Sequence, residues 1–284
     1  MTDIIHIQNL TIHQSRRPQD PLVKGLDLAI PKGQVLGIIG ESGSGKSLSM
    51  KAVMGLIGKG LSVSFDRFLF QGKTIENGKN LPIAMIFQDP MTSLNPLRKI
   101  GYHLEEILVR FQPELSATER KQEMLALLDR VGISEGEKRL RQYPFEFSGG
   151  MRQRILIAMA LLAKPDVIIA DEPTTALDVT VQAQILSLIK ELQEELGLTV
   201  VVVSHDFGVI AGISDQVMVM RSGQCLESGK VDQVFNSPAH NYTQSLLKAA
   251  QLEDGDYYIS VQERMGKLVE IEPGHYVREV ESSE

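Results

Sequence analysis

Eight residues, Gly40-Glu41-Ser42-Gly43-Ser44-Gly45-Lys46-Ser47, carry the strongest chemical signal in the chain. They fit the pattern G-x-x-x-x-G-K-[ST] and follow a short apolar run, Val35-Leu36-Gly37-Ile38-Ile39, so the setting is strand, loop, helix. A backbone wrapped around a polyphosphate needs N–H groups aimed inward and no Cβ in the way, which glycine allows. Lys46 can reach the β- and γ-phosphates, and the Ser47 hydroxyl can ligate Mg²⁺. The following helix adds the positive end of its dipole. A nucleoside triphosphate is the implied ligand.

Four further positions have matching chemistry. Asp171-Glu172 closes the apolar run Val167–Ala170. A carboxylate at a strand tip suits a Mg²⁺ ion with octahedral oxygen demands, and a second beside it can orient or deprotonate a water. The same pair would also suit the positive end of a helix starting near Pro173. Gln88 ends the run Ile83–Phe87 and can ligate the metal or a water, or simply cap a turn. His205 follows Thr199–Val203, where its imidazole can meet a γ-phosphate oxygen or serve a structural role. Ser148-Gly149-Gly150 opens a helix and is either an anion site or an ordinary cap.

The elements that must hold these residues alternate in type. Ile4–Leu10 and Leu22–Ile30 read as short strands around a polar loop, Gln14 to Asp20. A helix is predicted from about Ser47 to Ile57, and Ile83–Phe87 reads as a buried strand. From Asp89 to Phe147, Leu104, Ile107 and Leu108, then Leu125, Leu128 and Val131, recur at helical spacing among charged residues. That stretch is a helical subdomain inserted in an α/β core. The core resumes at Val167–Ala170, continues at Thr199–Val203 and ends near Gln216–Met220, with a helical stripe at Val181, Ile185, Leu188 and Leu192. Strands alternating with helices predict a mainly parallel sheet. From about Val231 the chain is more polar, and from Gln251 it reads as an appendage.

Bulk properties narrow the class. The 284 residues suit one large domain, or one with a subdomain and a tail, and the net charge of −7 argues against nucleic-acid binding by phosphate neutralisation. Cys225 is the only cysteine, which excludes an intrachain disulfide or a cysteine-built cluster and suits a reducing compartment. The opening Met1-Thr2-Asp3-Ile4-Ile5 lacks the pattern of a signal peptide, and the longest apolar run, Ile155–Ala163, is too short to span a bilayer. Work at a membrane would require docking on something that spans it.

The ordered set resembles the nucleotide-binding subunit of an ATP-binding cassette (ABC) transporter over roughly residues 4–250. The matches are a Walker A loop at Gly40–Ser47, a Q-loop at Gln88, the signature Ser148-Gly149-Gly150, and Walker B at Asp171 with Glu172. A D-loop, Ala176-Leu177-Asp178, and the switch His205 complete the order. Gln88-Asp89-Pro90-Met91-Thr92-Ser93-Leu94-Asn95-Pro96-Leu97 and Tyr143-Pro144-Phe145-Glu146-Phe147 are similar to the dipeptide, oligopeptide and nickel importer branch. So are His240-Asn241-Tyr242-Thr243 and Glu272-Pro273-Gly274-His275.

The resemblance implies a P-loop NTPase core with a mainly parallel sheet, an antiparallel N-terminal β subdomain and an inserted helical subdomain. Its parts would be residues 1–88, with Walker A; 89–165, with the signature; 166–235, with Walker B and the switch His; and 236–284, an extension. ATP and Mg²⁺ would be bound, with Ser47, Gln88 and Asp171 on the metal. Glu172 would act as base, and His205 and Gln88 would assist at the γ-phosphate. Ser148, Gly149, Gly150 and Asp178 would meet the nucleotide of a second cassette subunit. Two permease subunits and, indirectly, an extracytoplasmic substrate-binding protein would be partners, with no nucleic acid, at the cytoplasmic face of the inner membrane. A soluble ABC ATPase acting on nucleic acid or ribosomes is the alternative, although such proteins usually carry two cassettes or basic arms.

The chain departs from the family in three places. The family commonly stacks an aromatic ring on adenine, yet no Phe, Tyr or Trp precedes Phe65, and the position falls near His13 or Gln14. A single cysteine cannot supply the C-terminal cysteine cluster of some relatives. The signature is flanked by Phe147 and Met151 where Leu and Gln are more common, with Ser148 and the glycines intact.

Overall fold

A computed structural model describes residues 2–89, 93–175, 177–250 and 264–281. Pro90, Met91 and Thr92 of the Q-loop extension, Ala176 of the D-loop and the start of the expected appendage at Gln251 lie outside the described residues. The chain divides into two compact units, residues 1–81 with 201–284, and residues 82–200.

The first unit opens with strands β1 (Asp3–Gln14) and β2 (Arg17–Pro31), paired antiparallel with Ile5 opposite Ile30 and Ile7 opposite Leu28. Ile5, Ile7, Leu10 and Ile12 are fully buried, as are Val23, Leu26 and Leu28 on the partner strand. The polar stretch predicted as a loop is mostly ladder: Gln14 pairs with Arg17, leaving only Ser15-Arg16 at the turn. At a hairpin tip the backbone bonds are made without an apolar face, so residue type gave no strand signal.

Strand β3 (Val35–Ile39) is buried throughout and leads through the glycine loop into helix α1 (Lys46–Val53). The helix stops short of the predicted Ile57 because Gly55 takes φ 67, Leu56 N–H donates to Lys51 O at 2.8 Å and Gly55 N–H to Ala52 O at 2.9 Å. That pair of bonds is a Schellman stop. Strands β4 (Leu61–Ser64) and β5 (Arg67–Phe70) then pair with β1, and β6 (Lys73–Thr74) pairs with β5, which completes the antiparallel N-terminal sheet.

The second unit contains β7 (Ile83–Ile86), helices α2 (Ile100–Phe111), α3 (Ala117–Arg130), α4 (Gly136–Arg139) and α5 (Gly149–Leu162), strand β8 (Val167–Asp171) and helix α6 (Val179–Leu196). Most of the expected helical stripes is core: Leu104, Leu108, Leu128 and Val131 are buried, as are Ile185, Leu188 and Leu192, while Ile107, Leu125 and Val181 are half-buried. Strands β7 and β8 run parallel, with Ile86 opposite Ala170. A full capping box starts α3, where Ser116 Oγ accepts from Glu119 N–H and Glu119 accepts from Ser116 N–H.

The chain returns to the first unit along β9 (Thr199–Ser204), followed by α7 (Phe207–Ile213), β10 (Gln216–Arg221), β11 (Gln224–Lys230), α8 (Val231–Asn236), α9 (Asn241–Ala250), β12 (Arg264–Glu272) and β13 (His275–Glu281). Strand β10 runs parallel to β3, and Asp215 fixes their start by accepting from Val35 N–H at 2.7 Å. The sheet does not end at Met220 as predicted. Antiparallel β11, β13 and β12 extend it in that order. Strand β11 escapes a hydrophobicity pattern because a buried acid, Glu227, follows Cys225 and Leu226 in its core.

Candidate functional site

In the first unit, the loop Gly40–Gly45 is shaped by close approach as much as by sequence. A Cβ on Gly40 would lie 2.1 Å from Met220 O, and Gly43 and Gly45 take φ 81 and 100. Behind the loop, Gly223 N–H donates to Ser44 O at 2.9 Å, so the β10–β11 turn backs it. Lys46 is buried, its ammonium donating to Gly40 O at 2.6 Å, Glu41 O at 2.9 Å and Ser44 Oγ at 3.3 Å. Those acceptors hold the cation across the loop.

Gly45 caps α1 without a side-chain acceptor, so the first-turn N–H groups are not claimed by a capping side chain. Glu41, Ser42 and Gly43 are exposed, Ser44 is buried and Ser47 is half-buried. His205 stands exposed after β9, and the next residue, Asp206, caps α7 by accepting from Gly208 N–H at 2.7 Å.

In the second unit, the parallel pairing of β7 and β8 brings their C-terminal ends together. Gln88 Nε2 donates to Glu172 Oε2 at 3.2 Å. Asp171 is a buried carboxylate at the end of β8. Glu172 takes φ 49, a left-handed conformation that costs a non-glycine residue about 1–3 kcal/mol. Thr175 offsets this: its hydroxyl donates to Glu172 Oε2 at 2.7 Å and its N–H to Glu172 O at 3.4 Å. Thr175 escaped the sequence reading, and its only signal was a hydroxyl three residues after the acid, within reach of a turn.

The signature residues gather around the start of α6. Ser148 caps α5, accepting from Met151 N–H at 3.3 Å, and Asp178 caps α6, accepting from Val181 N–H at 2.9 Å. A Cβ on Gly150 would lie 2.5 Å from Val181 Cγ1, and one on Gly149 would lie 3.3 Å from Leu177 Cδ2. At 150 a residue larger than glycine would therefore force the two helices of this unit to shift. Arg152 Nε donates to Pro144 O at 2.9 Å, tying this helix to the segment Tyr143–Phe147.

Ser47 in the first unit, and Asp171 and Gln88 in the second, each carry an oxygen of the hard kind that suits Mg²⁺. A glycine loop, a buried lysine and a helix start without a side-chain cap suit a polyphosphate.

Residues 23–175 match the family model described as ABC transporter. The chain is 44% identical over 257 residues to the oligopeptide transport ATP-binding protein OppD of Bacillus subtilis, covering 87% of this chain and 72% of that one. Its fold resembles cbiO1 of Clostridium perfringens, described as part of the ABC transporter complex cbiONQ, with TM-score 0.71, 26% identity and coverage of 89% and 96%. It also resembles the ATP-binding cassette MJ0796, solved as a dimer in a post-hydrolysis state with ADP and Pi, with TM-score 0.68, 27% identity and coverage of 80% and 98%.

Proposed function

This chain belongs to the ABC transporter family, and on that premise we propose that it is the ATP-hydrolysing, energy-coupling subunit of a multisubunit importer for peptides or for nickel and metal chelates. The observation that carries the proposal is the phosphate loop: strand, glycine turn and helix start, with Lys46 laid across the loop carbonyls. Kinship with an oligopeptide transport ATP-binding protein supports import of a peptide-like cargo.

The family resemblance supports the following roles. Lys46 and the loop N–H groups bind the β- and γ-phosphates of ATP. Ser47, Asp171 and Gln88 would hold Mg²⁺, which supplies charge neutralisation at the phosphates. Glu172, oriented by Gln88 and Thr175, takes the proton of the attacking water, and His205 serves the γ-phosphate. Ser148, Gly149, Gly150 and Asp178 serve the nucleotide of a second cassette subunit.

Two permease subunits, and through them a substrate-binding protein, complete the assembly. No described helix is long and apolar enough to cross a membrane, so permeases would provide the membrane path and this subunit would sit peripherally at the cytoplasmic face. Nucleotide-driven closing and reopening of the paired cassettes would then be transmitted to the permeases.

The test is uptake of a labelled peptide and of radioactive nickel by the native cell carrying Lys46→Ala in place of the parent chain. Loss of one uptake is expected. Retention of both at parental rate would overturn the importer assignment.

A further inference from the structure

The turn joining β10 to β11 is two residues long, Ser222-Gly223, with Arg221 paired to Gln224 across it. Both take positive φ, 49 at Ser222 and 81 at Gly223, as a tight type I′ hairpin turn requires. A hairpin tip ordinarily meets solvent. Here Ser222 is exposed but Gly223 is buried, because the tip lies between two other segments of the first unit.

On one side is strand β2. Gly223 O accepts from Lys24 N–H at 2.9 Å, and a Cβ on Gly223 would lie 2.2 Å from Leu22 O and 2.9 Å from Val23 Cα. On the other side is the phosphate loop. Gly223 N–H donates to Ser44 O at 2.9 Å, and a Cβ on Gly45 would lie 3.4 Å from Gly223 Cα. Three residues back, Met220 O stands where a Cβ on Gly40 would lie, so the hairpin meets the loop at both ends. Ser44 carries the contact into the site. It is buried, its N–H donates to Glu41 O at 3.1 Å, and its Oγ accepts from the Lys46 ammonium at 3.3 Å. Whatever fixes the Ser44 carbonyl therefore also fixes one of the acceptors that hold Lys46.

We propose that Gly223 is a positioning residue for nucleotide binding: wedged between Leu22–Lys24 and Ser44, it is a strut that holds the phosphate loop in its binding shape. The proposal rests on the assignment of Gly40–Ser47 as the nucleotide site. A loop with three glycines loses much conformational freedom when it is ordered. The strut removes that freedom before the ligand arrives, so less of the binding free energy is lost in ordering the loop. Gly223 does this without touching ATP, and only glycine fits the space and the φ together.

The test is calorimetric titration of the full chain with a non-hydrolysable ATP analogue and with inorganic triphosphate, each with Mg²⁺, with steady-state hydrolysis and thermal melting alongside. Gly223→Ala must move the tip about 1 Å from Leu22 O to reach ordinary contact, and it strains the turn. Binding of both ligands is expected to weaken about tenfold, and KM for Mg-ATP to rise by the same factor, while kcat stays within threefold. Inserting one glycine between Ser222 and Gly223 lengthens the turn without adding a Cβ, and it should produce the same loss by moving the donor away from Ser44. Phe68→Leu, in the buried core of the same unit, should melt earlier yet bind both ligands within twofold of the parent.

Parental affinity in the insertion variant or in a folded Gly223→Ala, or an equal loss in Phe68→Leu, would overturn the proposal. So would a loss confined to the ATP analogue with parental binding of triphosphate, since the strut acts on the phosphate loop. If Gly223→Ala yields no folded protein, the insertion decides alone. Failure of the parent chain itself to bind either ligand would sink the nucleotide assignment and the proposal with it; parental binding with unaffected variants would sink the proposal alone.

Discussion

Thr175→Val removes one hydroxyl and almost no volume, and it isolates the tether on the proposed base. The lost bonds are the 2.7 Å donation to Glu172 Oε2 and a weaker one to Glu172 O at 3.4 Å, while the Gln88 bond at 3.2 Å and the backbone bond from Thr175 N–H remain. A hydrogen bond to a charged group contributes about 1.5–3 kcal/mol, and the solvent exposure of Thr175 puts this one at the lower end. If the tether acts by holding the carboxylate where the attacking water must lie, about 1.5 kcal/mol is lost in the transition state. At about 1.4 kcal/mol per decade, kcat should fall about tenfold. Substrate affinity should hold within twofold, because Thr175 bonds Glu172 and not the phosphate loop. Phosphate release at saturating Mg-ATP, with a parallel KM determination, measures both. Thr175→Ser restores the hydroxyl and should recover most of the rate. Parental kcat in the valine variant, or a serine variant as slow as the valine one, would refute the tether.

Glu172→Gln should keep ATP binding while lowering turnover by on the order of 10²–10⁴, and near-parental hydrolysis would remove Glu172 from the role of base. Gly150→Ala forces a Cβ to within 2.5 Å of Val181 Cγ1, an overpacking that costs about 1–3 kcal/mol, so the variant should melt earlier than the parent. Adding Val181→Ala should recover the loss; a single variant as stable as the parent would show that the helices yield freely. With no aromatic residue before Phe65, discrimination between ATP and GTP should stay below a hundredfold, which competition binding decides. Burial pushes the Cys225 thiol up to about 12 from an ordinary value of 9.0. The unfolded thiol ionises first, so its contribution to stability is complete below pH 9 and lost as pH rises toward 12; Cys225→Ala should flatten that part of the melting profile.

The parts of the site that were legible are those where residue type dictates backbone geometry. Gly40, Gly43 and Gly45 announce a loop because no other residue meets the 2.1 Å approach to Met220 O or takes φ 81 and 100 without strain. Asp171 and Glu172 announce themselves as acids at the end of a buried run. The strain at Glu172 was not legible, since nothing about a glutamate advertises φ 49, and neither was the Thr175 tether that makes it tolerable. The fold follows the same division. The α/β core, two short N-terminal strands and the helical stripes were visible as apolar periodicity, while the antiparallel N-terminal sheet came from the family resemblance.

The C-terminal strands were not visible in this way, because Glu227 reads as a surface residue until its partner is known, and His275 lies 48 positions away. Long-range satisfaction of a buried charge leaves no mark in a local window. A stretch that composition assigns to an appendage can therefore belong physically to the phosphate-binding unit. Here a polar residue of that stretch, His275, is the one that joins it to β11, through Glu227.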